Sequence, residues 1–231
     1  DLLYDYENIR EMDNNYMEYI NKEIDYHITL TAETHNFPTG VSPFHGASTG
    51  VGGRIRDNQA IGRGGSIIAG SAGYSVGNLH LDNQISNDKN FIYSLANCYY
   101  RPINILIEAS NGASDYGNKI GEPIIHGFTR SFGMRTGDNI RREWLKPIMF
   151  TSGIGKMNSE YIKKYDPKEG YLVVKVGGPA YRLGMGGGAA SSREQTKDNN
   201  TQDESAVQRG DPEMGNRLNR FIKACIQSSY N

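Results

Sequence analysis

The sequence predicts an α/β chain of mixed α+β type. Three observations carry that expectation. Residues 27–36 alternate polar and apolar side chains, as a half-buried strand does. Runs at 67–76, 103–108, 147–151 and 171–176 are short, apolar and β-branched, as sheet strands are. Leu218, Phe221, Ile222 and Cys225 form one helical stripe behind Asp211-Pro212, a good N-cap followed by a good first-turn residue.

Bulk properties set the frame. The chain has 231 residues, enough for one large domain or two small ones. Its 25 Lys plus Arg against 26 Asp plus Glu give a net charge of -1, so no global field steers it to nucleic acid or an anionic membrane. Mean hydropathy is -0.61, and no apolar stretch approaches the roughly 18 residues that span a bilayer. Asp1-Leu2-Leu3-Tyr4-Asp5 has no signal-peptide pattern. Two cysteines, Cys98 and Cys225, make neither a disulfide framework nor a zinc site, so a reducing, cytoplasmic location is expected. Glycine is in excess, 28 residues, or about 12% against a usual share of about 7%. The glycines cluster beside the strand-like runs, where turns or close backbone approach are needed.

Taken in order, residues 1–26 are acidic and rich in Tyr and Asn, with a short helix expected over 18–24. In the strand at 27–36, the two-residue period puts Ile28, Leu30, Ala32 and Thr34 on one face. Thr29, Thr31, Glu33 and His35 lie on the other. Residues 46–65 read as loop, with a helix available around 48–55. Residues 111–119 read as loop, and 123–135 as a helix followed by a turn. The strand at 147–151 and the buried strand at 171–176 flank a polar stretch, 158–169, that marks a subdomain boundary. Residues 193–204 read as an exposed loop. The last helix runs through 217–228.

Two constellations carry chemistry. Glu33-Thr34-His35-Asn36-Phe37-Pro38-Thr39-Gly40 sits at a strand end, where α/β folds bind ligands. Glu33 offers an oxygen ligand to Mg2+, and His35 titrates near neutrality. The second is Gly46-Ala47-Ser48-Thr49-Gly50-Val51-Gly52-Gly53-Arg54-Ile55-Arg56-Asp57. Its backbone N–H groups, hydroxyls and guanidiniums are phosphate-cradling chemistry, above all if the segment opens a helix. Asp57 is a second carboxylate able to share a metal with Glu33, and Arg56 suits a substrate phosphate. No Gly-Lys-Ser/Thr closes the segment, so it is not a Walker A loop. The same residues are also compatible with a glycine-rich connection carrying solvated arginines. Two weaker signals remain. Gly184, Gly186 and Ala189 give only a loose dinucleotide fingerprint. Gln208 stands just before a helix start.

These motifs, with Gly62-Arg63-Gly64, Ala109-Ser110-Asn111-Gly112-Ala113-Ser114-Asp115-Tyr116-Gly117-Asn118-Lys119, Arg142-Glu143-Trp144-Leu145-Lys146-Pro147, Gly186-Gly187-Gly188-Ala189-Ala190-Ser191-Ser192 and Val207-Gln208-Arg209-Gly210-Asp211-Pro212, run collinearly over about 28–228. Together they resemble the phosphoribosylformylglycinamidine synthase family, in its large eukaryotic-type form. The resemblance implies an aminoimidazole ribonucleotide synthetase-like fold. Residues 28–157 would be a mixed-sheet, ATP- and substrate-binding first domain. Residues 158–231 would be an incomplete α/β second domain, and 1–27 a linker or the tail of a preceding domain. It implies ATP and Mg2+ as cofactors and formylglycinamide ribonucleotide as substrate. The partners would be the remaining synthetase half and a glutaminase domain of the same polypeptide.

Residue by residue, Glu33 and Asp57 match Mg2+ ligands, and His35 matches the proton acceptor. Thr34, His35, Asn36, Phe37, Arg56 and Gln208 match substrate contacts, and residues 46–57 match the ATP segment. Thr31 stands where many members carry a Lys that touches ATP. Neither cysteine lies in a nucleophile-elbow context, and the acidic, glycine-rich motif that completes the family's metal site is absent from the sequence. A catalytically silent, nucleotide-binding relative is the alternative reading.

Overall fold

In the computed structural model, residues 10–13, 16–19, 23–81, 99–138, 140–184 and 187–228 are described. Arg10–Asp13 (β1) and Tyr16–Tyr19 (β2) pair antiparallel. Glu18 and Tyr19 therefore belong to a strand, not to the helix expected over 18–24. Backbone pairing outweighs the weak helical preference of a Tyr- and Asn-rich segment.

Tyr26–Thr34 (β3) leads into the short helix Phe37–Val41 (α1) and then Pro43–Gln59 (α2). Ser66–Val76 (β4) follows, then Pro102–Ile120 (α3) and Ile124–Ser131 (β5). Gly133–Arg135 (β6) and Arg141–Glu143 (β7) make a small antiparallel pair before Ile148–Asn158 (β8). The main sheet has the order β3-β8-β4-β5. β8 is antiparallel to both its neighbours, whereas β4 and β5 are parallel. Parallel neighbours need a long crossover, and α3 lies within it. The mixed sheet agrees with the fold the resemblance implies.

α2 and α3 cover one face of this sheet. Ala47, Val51 and Ile55 of α2 meet Ala109, Ala113, Tyr116 and Ile120 of α3 over Ala72, Tyr74 and Met149. The other face carries exposed apolar side chains, Ile28 at 84% and Leu30 at 75%. β3 thus turns its Thr29, Thr31 and Glu33 row to the helices and its aliphatic row outward.

Several expected elements are replaced. Residues 103–108 and 111–119 are one helix, α3, not a strand and a loop. Its buried positions Ile105, Ala109, Gly112, Ala113, Tyr116, Gly117 and Ile120 repeat every three or four residues. That period runs across both segments, and neither segment alone displays it. Pro102 begins the helix, and Gly121 ends it at φ 90°. Residues 123–135 are strands β5 and β6, because β4 offers a parallel ladder to Ile124 and its successors. Residues 46–59 are helical throughout, not loop. Residues 171–176 form no strand, and Leu172 and Val173 are exposed at 87% and 103%. None of the described strands pairs with this segment. Residues 193–204 are partly ordered as the 3-10 turn Lys197–Asn199 and the start of helix Asn200–Ser205 (α4), pinned by an Arg193–Asp203 ion pair whose carboxylate is buried. The last helix, Pro212–Gln227 (α5), is as expected, and the Asp211 carboxylate accepts the Met214 N–H at 2.9 Å.

One ion pair ties the layers together. Arg54 of α2 reaches Glu122, just beyond α3, through two bonds of 2.6 and 2.5 Å, with both side chains essentially unexposed. Gly70 and Gly153 are register partners on β4 and β8. A Cβ at Gly70 would lie 2.7 Å from Arg54 Nη2, and one at Gly153 would collide with Arg54 Nη1. The paired glycines form the notch in which the guanidinium sits. Removing Glu122 leaves a buried, uncompensated cation. Glu122→Ala is expected to lower stability by about 3–5 kcal/mol in urea unfolding, and Arg54→Met/Glu122→Leu to recover most of that loss. Equal costs for the single and double variants would contradict the notch.

Candidate active site

The chemistry-bearing end of β3 lies against α2. Gly46, Gly50, Gly53 and Asp57 stand at helical intervals of four, three and four residues, so they share one side of α2. A Cβ at Gly50 would lie 2.9 Å from His35 Cβ, and one at Gly53 would lie 3.2 Å from Glu33 Oε1. A Cβ at Gly46 would overlap the Pro38 carbonyl. These glycines let a helix pack directly on the strand end.

That arrangement revises the phosphate-cradle expectation for residues 46–57. Ala47, Val51 and Ile55 have no exposed surface, Gly52 is covered by Tyr116, and Arg54 is held by Glu122. The segment's open surface is reduced to Gly53, Arg56 and Asp57, with Thr49 facing the neighbouring cavity. The Arg54 and Ile55 side chains are structural.

A cavity of about 430 Å3 opens beside the β3 end. Thr34, His35, Asn36 and Phe37 line one side, and Val207 and Gln208 line another. Gln208 is brought there from the far end of the chain by two contacts. The Thr49 hydroxyl donates to the Gln208 carbonyl at 2.8 Å, and Phe37, Val41, Ala190, Ala206 and Val207 cluster beneath the cavity. Phe37 is therefore mostly a floor residue, 4% exposed. Arg56, expected with these residues, is not at this cavity. Its Nη1 lies 3.5 Å from the Tyr116 hydroxyl, and its charge acts on Glu33.

Two buried polar atoms at the cavity, His35 Nδ1 and Asn36 Oδ1, have no hydrogen-bond partner. Such atoms are costly unless a ligand or water satisfies them. Burial pushes the His35 imidazole below its usual value of 6.5, with the Gly46 backbone pulling partly the other way. Burial thus favours the neutral ring, and its Nδ1 is left without a partner. Burial raises the Glu33 carboxyl, and the Asp57 charge raises it further, while Arg54 and Arg56 oppose both. Two neighbouring carboxylates that repel each other suit a hard divalent cation. Mg2+ commonly takes one or two carboxylates and completes its shell with phosphate and water. Among the described residues no group of three His, Cys, Asp or Glu forms a fuller metal cage.

Sequence reasoning assigned no role to Lys146, Leu183 or Ser191, which also line the cavity. Lys146 was within reach of it. β8 runs antiparallel to β3, and the His35 N–H donates to the Met149 carbonyl at 2.9 Å. The start of β8 must then lie beside the end of β3. Leu183 and Ser191 carried no such signal. Gly186, of the loose dinucleotide fingerprint, and Cys98 lie outside the described residues. Among the described residues, no strand precedes Gly184 as a dinucleotide turn requires. Cys225 lies on α5 as a free thiol. Among the described residues no helix is long and apolar enough to cross a membrane.

No family model matches the chain. Curated proteins do. The chain is 57% identical over 205 residues to phosphoribosylformylglycinamidine synthase of Homo sapiens, covering 87% of the chain and 15% of the human protein. The Dictyostelium discoideum enzyme of the same name is 54% identical over 211 residues, covering 91% of the chain and 16% of that protein. The chain thus spans about a sixth of the length of these relatives. Among solved structures, Thermotoga maritima PurL complexed with FGAR superposes with a TM-score of 0.57 at 22% identity, over 90% of this chain and 29% of that one. The AMPPCP complex of the same protein gives 0.54 at 20% identity, over 89% and 26%. These two superpositions establish the shared fold. Identity above one half, sustained along nearly nine-tenths of its length, places this chain in the phosphoribosylformylglycinamidine synthase family, as the counterpart of one segment of those proteins.

Proposed function

We propose that this chain forms one wall of the active site that converts formylglycinamide ribonucleotide to formylglycinamidine ribonucleotide. In this reading ATP phosphorylates the amide oxygen of the substrate. Ammonia released from glutamine then adds to the carbon, and phosphate leaves. The observation that carries the proposal is the meeting of Thr34, His35, Asn36 and Phe37 with Gln208 around one cavity. The relatives' shared name supports the same assignment.

Each residue has a task. His35, neutral and with Nδ1 unpartnered, accepts a proton as ammonia adds. Asn36 Oδ1, a buried acceptor without a donor, takes an N–H of the substrate. Gln208 closes the opposite wall. Glu33 and Asp57 would hold Mg2+, which supplies charge neutralisation to the ATP phosphates. Arg56, whose charge acts on Glu33, balances the added negative charge. Residues 28–157 then act as the ATP- and substrate-binding unit, and 158–231 as part of a second unit, behind a linker at 1–27. The remaining synthetase half and a glutaminase domain act as partners of the same cytoplasmic polypeptide.

Three outcomes test this in the complete polypeptide. His35→Ala is expected to reduce amidine formation by about 10²–10⁴-fold, and Glu33→Ala to abolish it, with glutamine hydrolysis intact in both. Normal amidation by either variant refutes the assignment. The catalytic imidazole must be unprotonated, and its value lies below 6.5. Activity should therefore fall on the acid side only below that pH. Finally, Mg2+ should pull the raised Glu33 carboxyl downward in a 13C NMR titration, and an unmoved titration would remove Glu33 from the metal site.

A further inference from the structure

The cavity at the end of β3 must receive an anion if its ligand is a ribonucleotide. His35 and Asn36 present unpartnered buried ring-nitrogen and carbonyl-oxygen atoms there, and Asn36 Oδ1 repels negative charge. Arg56, the guanidinium expected to meet the phosphate, lies away from the cavity beside Glu33 and Tyr116. Of the described residues that line the cavity, Lys146 alone carries a permanent charge.

Lys146 is placed rather than merely nearby. Pro147 behind it is fully buried, and Met149 accepts the His35 N–H. The start of β8 is thereby fixed against the strand end that bears His35 and Asn36. The ammonium itself is lightly engaged. Its Nζ donates to the Ser191 carbonyl at 3.5 Å, a long contact that leaves most of its donor capacity for a ligand. A flexible stem ending in a compact point charge suits phosphate recognition.

We infer that Lys146 is the phosphate-recognising residue of this cavity. Its ammonium takes the 5′-phosphate of a phosphoribosyl ligand, whose amide end lies at His35 and Asn36. The inference rests on the proposed function for the identity of that ligand. It extends the reading by separating two anion sites. Lys146 serves the substrate phosphate, and the charge cluster of Glu33, Asp57 and Arg56 serves the nucleotide.

The test compares Lys146→Met and Lys146→Arg with the unaltered complete polypeptide, using ribose 5-phosphate and ribose as calorimetric probes. Lys146→Met should weaken ribose 5-phosphate binding by about ten- to a hundredfold, leaving any ribose binding unchanged. Lys146→Arg should restore most of the loss. In turnover, the KM for the phosphoribosyl substrate should rise by the same factor, with kcat and the KM for ATP unchanged. The inference is overturned if the unaltered protein discriminates ribose 5-phosphate from ribose no better than Lys146→Met does. It is equally overturned if the KM for ATP rises instead. Lys146-dependent binding of ribose 5-phosphate by a protein that forms no amidine would uphold the phosphate site and sink the functional reading.

Discussion

The fold depends on a charge that has been taken out of water. Arg54 and Glu122 are both buried, and a buried ion pair is tolerated only where its geometry is good and its hydrogen bonds are made. Here the fork is bidentate, the Arg54 Nε points to the Thr151 hydroxyl at 3.5 Å, and paired glycines on β4 and β8 make room. The pair joins the helix that carries Asp57 to the turn between α3 and β5. It also fixes how high α2 rides above the sheet, and hence the distance between Asp57 and Glu33.

Glycine is used in the same sense elsewhere in α2. Four glycines in a helix of 17 residues are unfavourable by roughly 1 kcal/mol each relative to alanine. The loss is offset by contact. One side of the helix packs on His35 and Glu33, and Gly52 on another side admits the ring of Tyr116. The glycine excess of the sequence is therefore largely an excess of close approaches between layers, not of phosphate-binding loops.

This explains what was legible in the sequence. The strand, found over Tyr26–Thr34, and the shared side of Glu33 and His35 are set by a local period of two, whereas which row meets the helices is not: the polar row does, and the aliphatic row is exposed. The helix behind Asp211-Pro212 is set by a local cap, and it too is found. What was missed depended on partners far away in the chain. Residues 103–108 have the composition of a strand, yet their helical stripe is completed only by Ala113, Tyr116 and Ile120. Residues 124–131 become a strand because β4 lies ready beside them. In the site, Thr34 to Phe37 were legible as one motif and Gln208 as an isolated polar residue before a helix. Their meeting depends on the Thr49 contact and the Val207 cluster, which no short window contains. The burial of Arg54 against Glu122 leaves no mark in the sequence, because a guanidinium in a glycine-rich segment looks the same whether it faces a ligand or a buried carboxylate.

The pairing of β3 with β8 has a consequence for how this region can change over evolutionary time. The ladder runs without a bulge from Tyr26 opposite Asn158 to Thr34 opposite Phe150. Which face Glu33 occupies is thus a matter of odd and even counting along nine residues. Substitutions on the outer row leave that parity intact. A one-residue insertion or deletion between Leu30 and Glu33 reverses it on one side of the change, either turning the carboxylate and imidazole outward or bringing Ile28 and Leu30 to the helices. The strand can drift in composition, but its length is locked.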